Sequence, residues 1–196
     1  MNDVASILSG FTPITLEEMD GVKLQDRVDT KYVLSGDLLP AILEAMQAHY
    51  SVLQVDGAAG TDYRSLYFDT EDLKHYKDHH NKRTFRSKVR FREYIGSGLV
   101  FLEVKRKTGR GRTDKARRRV DAIPDALSAE QAAFVQEKAH TELAHVPALW
   151  NYFTRYTFVG KHRAERLTVD LDLRFSDPSG KGDLGNIVVV ELKQGR

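Results

Sequence analysis

The stretch SKVRFREY, residues 87–94, alternates like a β-strand, and one of its two faces is Lys88, Arg90 and Arg92. Side chains on a strand point to opposite sides with period two. The other face therefore carries Val89 and Phe91. A few residues on, GLVFLEVKRK (98–107) repeats the arrangement, with Glu103, Lys105 and Lys107 on one side and Val100, Leu102 and Val104 on the other. Neighbouring strands patterned this way predict a sheet with one buried apolar side and one densely charged side.

Working outward, the same period of two recurs along the chain. Arg27, Asp29 and Lys31 share a face, as do Lys115, Arg117 and Arg119 in KARRRV, and Arg166, Asp170 and Asp172 in RLTVDLDL. Glu191 and Lys193 share one in VELK, and Arg155 opens another strand. The alternate positions are mostly apolar: Val28, Leu167, Val169, Leu171, Val190 and Leu192. An ordinary solvated face mixes Thr, Ser, Gln, Glu and Lys. This one is rich in Arg, and like charges opposite one another on paired strands repel. A bound polyanion offsets that repulsion. Arginine offers bidentate phosphate contacts and lysine a point charge. Carboxylates among such bases suggest a divalent cation bridging protein and phosphate oxygens. Glu191 and Glu103 are the candidate ligands, with internal ion pairs as the alternative. Asp170 and Asp172 serve either as ligands or as charge balance.

The chain of 196 residues is long enough for one sizeable domain. Its 30 basic and 28 acidic residues leave a formal charge of only +2, less one-sided than a simple nucleic-acid coat. The absence of cysteine excludes a disulfide framework and a Cys-based zinc site. No apolar run approaches a membrane span and no secretory signal opens the chain, so a cytoplasmic protein is expected.

Helices are predicted from Thr15, over 36–50, over 71–81 and over 128–143 with a Ser128 cap. Strands are predicted over 24–34, 51–55, 63–70, 85–95, 99–107 and 115–121, with three more toward the end. About eight strands, following one another in the middle of the chain, predict a largely antiparallel α+β arrangement. There is no internal repeat and no evident domain boundary.

The ordered set DRVDTKY, SLYFDT, KVRFREY, FLEVKRK, KARRRV, NYFTRYTF, ERLTVDLDL and VVVELK resembles the vacuolar transporter chaperone (VTC) polyphosphate polymerase domain of the triphosphate tunnel metalloenzyme, or CYTH-like, superfamily. The resemblance runs from about residue 24 to the end. It implies an eight-stranded antiparallel β-barrel with flanking helices, whose lumen is lined by Arg, Lys and Glu. It also implies Mn²⁺ or Mg²⁺ on a triphosphate, and transfer of the γ-phosphate of ATP onto polyphosphate. Carried over by motif, Arg90, Arg92, Lys105, Arg155 and Glu191 take catalytic roles. Lys31, Lys88, Lys107, Lys115, Arg117, Arg166 and Lys193 take phosphate-binding roles. Glu191 and Glu103 take the metal. The superfamily's opening E-x-E-x-K falls on Arg27, Asp29 and Lys31, where only the lysine matches. The family continues past its E-L-K strand to a Ser-Lys-Tyr element, and the expectation is a single domain over 1–196 lacking that element.

Three readings stay open: a polyphosphate-synthesising enzyme using ATP, a triphosphate hydrolase, and a non-catalytic polyphosphate-binding module. Phe85, Phe91, Tyr94 and Phe101 are mostly assigned to the side opposite the bases, which counts against RNA stacking. No nucleic-acid partner is expected. A membrane-protein partner that receives the product and the oligomeric state are left undetermined. His75 and His79 have the H-x-x-x-H spacing of some metal sites, but no nearby Glu completes the motif. Trp150 and the aromatics of 152–158 are assigned to the core. GRGR (109–112) is assigned to a strand connection.

Overall fold

The computed structural model describes residues 4–21, 27–109 and 112–195. The strand expected from residue 24 therefore begins, within the described residues, at Arg27. Residues 24–26, and residues 110 and 111 of the GRGR turn, lie outside them. In chain order the elements are α1 (Val4–Leu8), β1 (Thr12–Ile14), α2 (Leu16–Gly21), β2 (Arg27–Ser35), a 3-10 turn (Gly36–Leu38), α3 (Leu39–Met46), β3 (Tyr50–Leu53) and β4 (Gly60–Asp69). There follow α4 (Lys74–His80), β5 (Arg86–Tyr94), β6 (Leu99–Lys107), β7 (Thr113–Val120), α5 (Ala129–Ala139), β8 (Val146–Gly160), β9 (Glu165–Asp177), β10 (Gly180–Asp183) and β11 (Ile187–Gly195). No described helix is long and apolar enough to cross a membrane.

The chain divides into two compact units. The first comprises Met1–Asp62, Phe153–Arg174 and Asp183–Arg196, and the second Tyr63–Tyr152 and Phe175–Gly182. In the first, the strand order is β2-β11-β9-β8. β3 joins antiparallel to β8, and β1 runs parallel to β3. The apolar side of this sheet, with Val169, Val188 and Val190, packs with Phe158, Leu43 and Met46 of α3, and Ile7 and Phe11 near α1. Thr15 caps α2, its hydroxyl accepting from the Glu18 amide while Glu18 accepts from the Thr15 amide.

In the second unit the order is β4-β5-β6-β7, antiparallel throughout. Leu66, Phe68, Val89, Phe91, Leu102 and Val104 form one apolar side, closed by Val135 and Ala139 of α5. Trp150 packs against this cluster and Phe153 and Phe158 are buried, as expected of the aromatic stretch. α5 starts at a capping box between Ser128 and Gln131. It stops earlier than the apolar spacing suggests, because His140 takes a left-handed conformation with φ 53.

The antiparallel α+β class is therefore present. The closed eight-stranded barrel is not confirmed: among the described residues the sheet does not close on itself.

Candidate functional site

In the second unit the register places side chains in rows, since directly opposed residues of an antiparallel pair share a face. One row is Tyr67, Arg90, Glu103 and Arg117 across β4 to β7. The next is Lys88, Lys105 and Lys115. A third runs Ser65, Arg92, Phe101 and Arg119. Lys107 follows at the end, opposite Arg86 and Thr113. Lys88, Arg90, Arg92, Glu103, Lys105, Lys107, Lys115 and Arg117 are thus gathered on one face, with Val89, Phe91, Leu102 and Val104 on the other. Phe101 and Tyr94 depart from the sequence assignment: the register puts both on the face of the bases, Phe101 under the guanidinium of Arg117 at 5.0 Å.

Glu103 is the anchor of this face. Its residue is 2% exposed. Arg90 donates to Oε2 through Nε at 2.8 Å and Nη2 at 2.6 Å, and Lys115 Nζ lies 2.6 Å from Oε1. Burial alone would raise the Glu103 carboxyl, but Arg90 and Lys115 hold it at about 2. Arg90 also donates to the Tyr67 hydroxyl at 3.1 Å. The buried Arg92 donates to Ser65 Oγ at 3.2 Å and stacks over Tyr63 at 5.0 Å. Lys105 fares differently. Burial, then the charge of Arg90, with Lys115 and Arg92 behind it, pushes its amine down to about 7 despite Glu103.

The first unit gathers the remaining candidates. Across β2, β11 and β9 one row is Lys31, Glu191 and Thr168, and the next is Asp29, Lys193 and Arg166. Glu191 pairs with Lys193 on its own strand and lies 3.8 Å from Lys31. Burial would raise its carboxyl, but the Lys193 hydrogen bond and the charges of Lys193, Lys31 and Arg155 hold it below the usual range. Lys193 is itself lowered, because burial outweighs what Glu191 returns. Arg155 grips Asp170 through two bonds of 2.5 and 2.6 Å, so Asp170 balances charge. Asp172 has φ 52, a left-handed conformation inside β9 that interrupts the alternation from which its face was read. Arg166 donates to the Met19 carbonyl at 3.1 Å.

The two candidate carboxylates differ as places for a hard cation. Both oxygens of Glu103 already accept from cations at short range, and it behaves as an internal counter-ion. Glu191 has one tight partner and one distant one, and its side chain is more open, 17% exposed against 3%. Mg²⁺ and similar ions take one or two carboxylates plus phosphate oxygens and water, so Glu191 fits such a role. Among the described residues, no three His, Cys, Asp or Glu side chains form a metal cluster.

The sequence missed one pair. His75 lies on α4, but its Nε2 meets His145 Nε2 at 2.8 Å, with the rings stacked at 5.0 Å. The partner is 70 residues away, where no local spacing could reveal it. Burial, then Lys88 and Arg86, brings His79 to about 4.

The sequence model of the VTC domain matches residues 26–196. A search of curated proteins finds no match. Among solved structures, a candidate adenylate cyclase from Bacillus halodurans is 14% identical, with TM-score 0.51, covering 87% of this chain and 81% of that one. A candidate adenylyl cyclase from Hippeastrum, described as having a dominant triphosphatase activity, is 13% identical with TM-score 0.50, covering 87% of this chain and 79% of that one. At these identities the likeness concerns the fold.

Proposed function

The chain belongs to the VTC domain family, and from that premise we propose that it performs metal-dependent phosphoryl transfer on triphosphates, making polyphosphate from ATP. The observation that carries the reading is the row Lys88, Lys105 and Lys115, three cationic residues opposite one another across three strands. Like charges in such a row repel; Glu103 offsets Lys115, while Lys105 is driven to about 7 by burial and its neighbours. A phosphate chain adds the negative charge that one carboxylate among three lysines does not balance.

Phosphoryl transfer asks the protein mainly for positioning and charge neutralisation. Arg90 and Arg92 are fixed by Glu103, Tyr67 and Ser65, so their charges need little rearrangement when phosphate arrives. Lys88, Lys105, Lys107, Lys115 and Arg117 hold phosphate oxygens in the second unit. Lys31, Arg166 and Lys193 do so in the first, and Arg155 stabilises charge on the transferred group. Glu191 would hold Mn²⁺ or Mg²⁺, which when bound neutralises phosphoryl oxygens. In polymerisation the acceptor is an ionised terminal phosphate, so no dedicated base is needed. Hydrolysis is the second reading, favoured by the neutral fraction of Lys105 near pH 7, which can accept a proton from water.

Incubation with ATP and Mn²⁺, resolved by gel, separates the two. Ladders of lengthening polyphosphate are the expected result. Free phosphate alone assigns hydrolysis. Absence of any melting-temperature shift with millimolar tripolyphosphate, where mass action predicts a rise, overturns the triphosphate reading.

A further inference from the structure

At the centre of the first unit's charged face sits a residue that no motif singles out. Thr168 lies directly opposite Glu191. Along β9 it is flanked by Arg166 and Asp170, which share its face, and Lys193 is opposite Arg166. The residue is 3% exposed, and its Oγ1 is buried with no hydrogen-bond partner among the described residues. The carboxylate opposite does not use it, because Glu191 is turned to Lys193 and Lys31.

A buried hydroxyl without a partner destabilises a fold. The strand itself does not require one, since Val has equal or better strand propensity and the same shape. Its neighbours Leu167 and Val169 are apolar, as their buried side demands. Thr168 faces the other way, among Arg166, Lys193, Glu191 and Asp170. A threonine hydroxyl can donate one proton. Placed on a face whose cations attract anions, it can add a directional bond that long, mobile lysines and arginines do not supply.

We propose that Thr168 is a phosphate-contacting residue of the first unit, its hydroxyl donating to an oxygen of a bound polyphosphate chain. This rests on the triphosphate reading above. Lys193 swings from Glu191 to the anion, and the hydroxyl beneath becomes reachable. The donor is uncharged, so the contact depends on geometry and less on ionic strength than those of the surrounding cations.

The test is calorimetric titration of tripolyphosphate into wild type, Thr168→Val and Thr168→Ser, with EDTA and again with Mn²⁺, beside thermal melts of each protein alone. Valine removes an unpartnered buried polar group, so the free variant should melt at the same temperature or higher. It should nevertheless bind tripolyphosphate about tenfold more weakly with or without metal, the loss of a hydrogen bond to an anion. Serine should restore binding. Equal affinity of wild type and the valine variant overturns the assignment, as does a loss confined to the Mn²⁺ titration. Should the valine variant fail to fold, Thr168→Ala against Thr168→Ser carries the same comparison. A wild type that does not bind tripolyphosphate sinks the triphosphate reading and this inference together. A wild type that binds as well as the valine variant sinks this inference alone.

Discussion

The two units carry the same three-residue phrase, Glu-x-Lys, and use it in opposite ways. In the first unit, Glu191 pairs with its own Lys193, two residues along the strand. In the second, Glu103 ignores Lys105 and takes Arg90 and Lys115 from the strands on either side. The cross-strand neighbours decide. Glu103 is opposite Arg90 and Arg117, whereas Lys105 is opposite Lys88 and Lys115. Glu191 is opposite Lys31 and Thr168, and Lys193 opposite Asp29 and Arg166. Lys193 therefore keeps a carboxylate and Lys105 is left among cations. One phrase yields an openable ion pair in one sheet. In the other it yields a locked counter-ion beside a half-neutral amine.

The sharpest way to break the comparison is Glu191→Gln. The amide keeps the shape and loses the charge, so Mn²⁺-dependent turnover should fall about a thousandfold, the scale of losing one main source of transition-state charge stabilisation. Tripolyphosphate binding should persist or tighten, and melting should change little, since a partly exposed pair contributes about 1 kcal/mol or less. A folded variant with near-normal turnover moves the metal to Glu103 and reverses the contrast.

Glu103→Gln should act on stability instead. Removing the counter-ion of a buried guanidinium costs about 3 kcal/mol, readable as a lower denaturation midpoint at unchanged slope. A loss no larger than that of Glu191→Gln would mean that the two carboxylates are equivalent after all.

A third test is the pH dependence of Lys105→Met. A folded amine near 7 binds fewer protons than the unfolded amine between about pH 7 and 10. Wild-type stability therefore gains from this group as pH rises through that window. The methionine variant lacks the term, so its melting temperature relative to wild type should be highest near pH 6 and fall toward pH 10. A pH-independent difference would return Lys105 to an ordinary solvated lysine.

What the sequence disclosed was parity. Alternation alone put Lys88, Arg90 and Arg92 on one face and Val89 and Phe91 on the other, because a period of two follows from strand geometry. The partner across the ladder was not legible. Whether Arg90 meets Glu103 or Lys105 depends on register, which the β5–β6 turn sets. The Arg155–Asp170 and His75–His145 pairs are tertiary for the same reason. The positive φ of Asp172, which interrupts the alternation in β9, leaves no mark in the sequence. Thr168 passed unnoticed because threonine in a strand is ordinary until its hydroxyl is found buried and unpartnered. The family motifs suggested the chemistry, and the rows show which charges of each unit lie opposite one another.

If phosphate binds the lysine row as proposed, substrate is coupled to the solvent's protons. With Lys105 half titrated near pH 7, an arriving polyanion favours the ammonium and pulls its amine back toward the ordinary value. On the proposed function, capture of a phosphate chain in this pH range would take up as much as one proton, and departure of product would return it. The heat of binding would then vary with the ionisation enthalpy of the buffer. At alkaline pH the enzyme would wait for a proton as well as for its substrate.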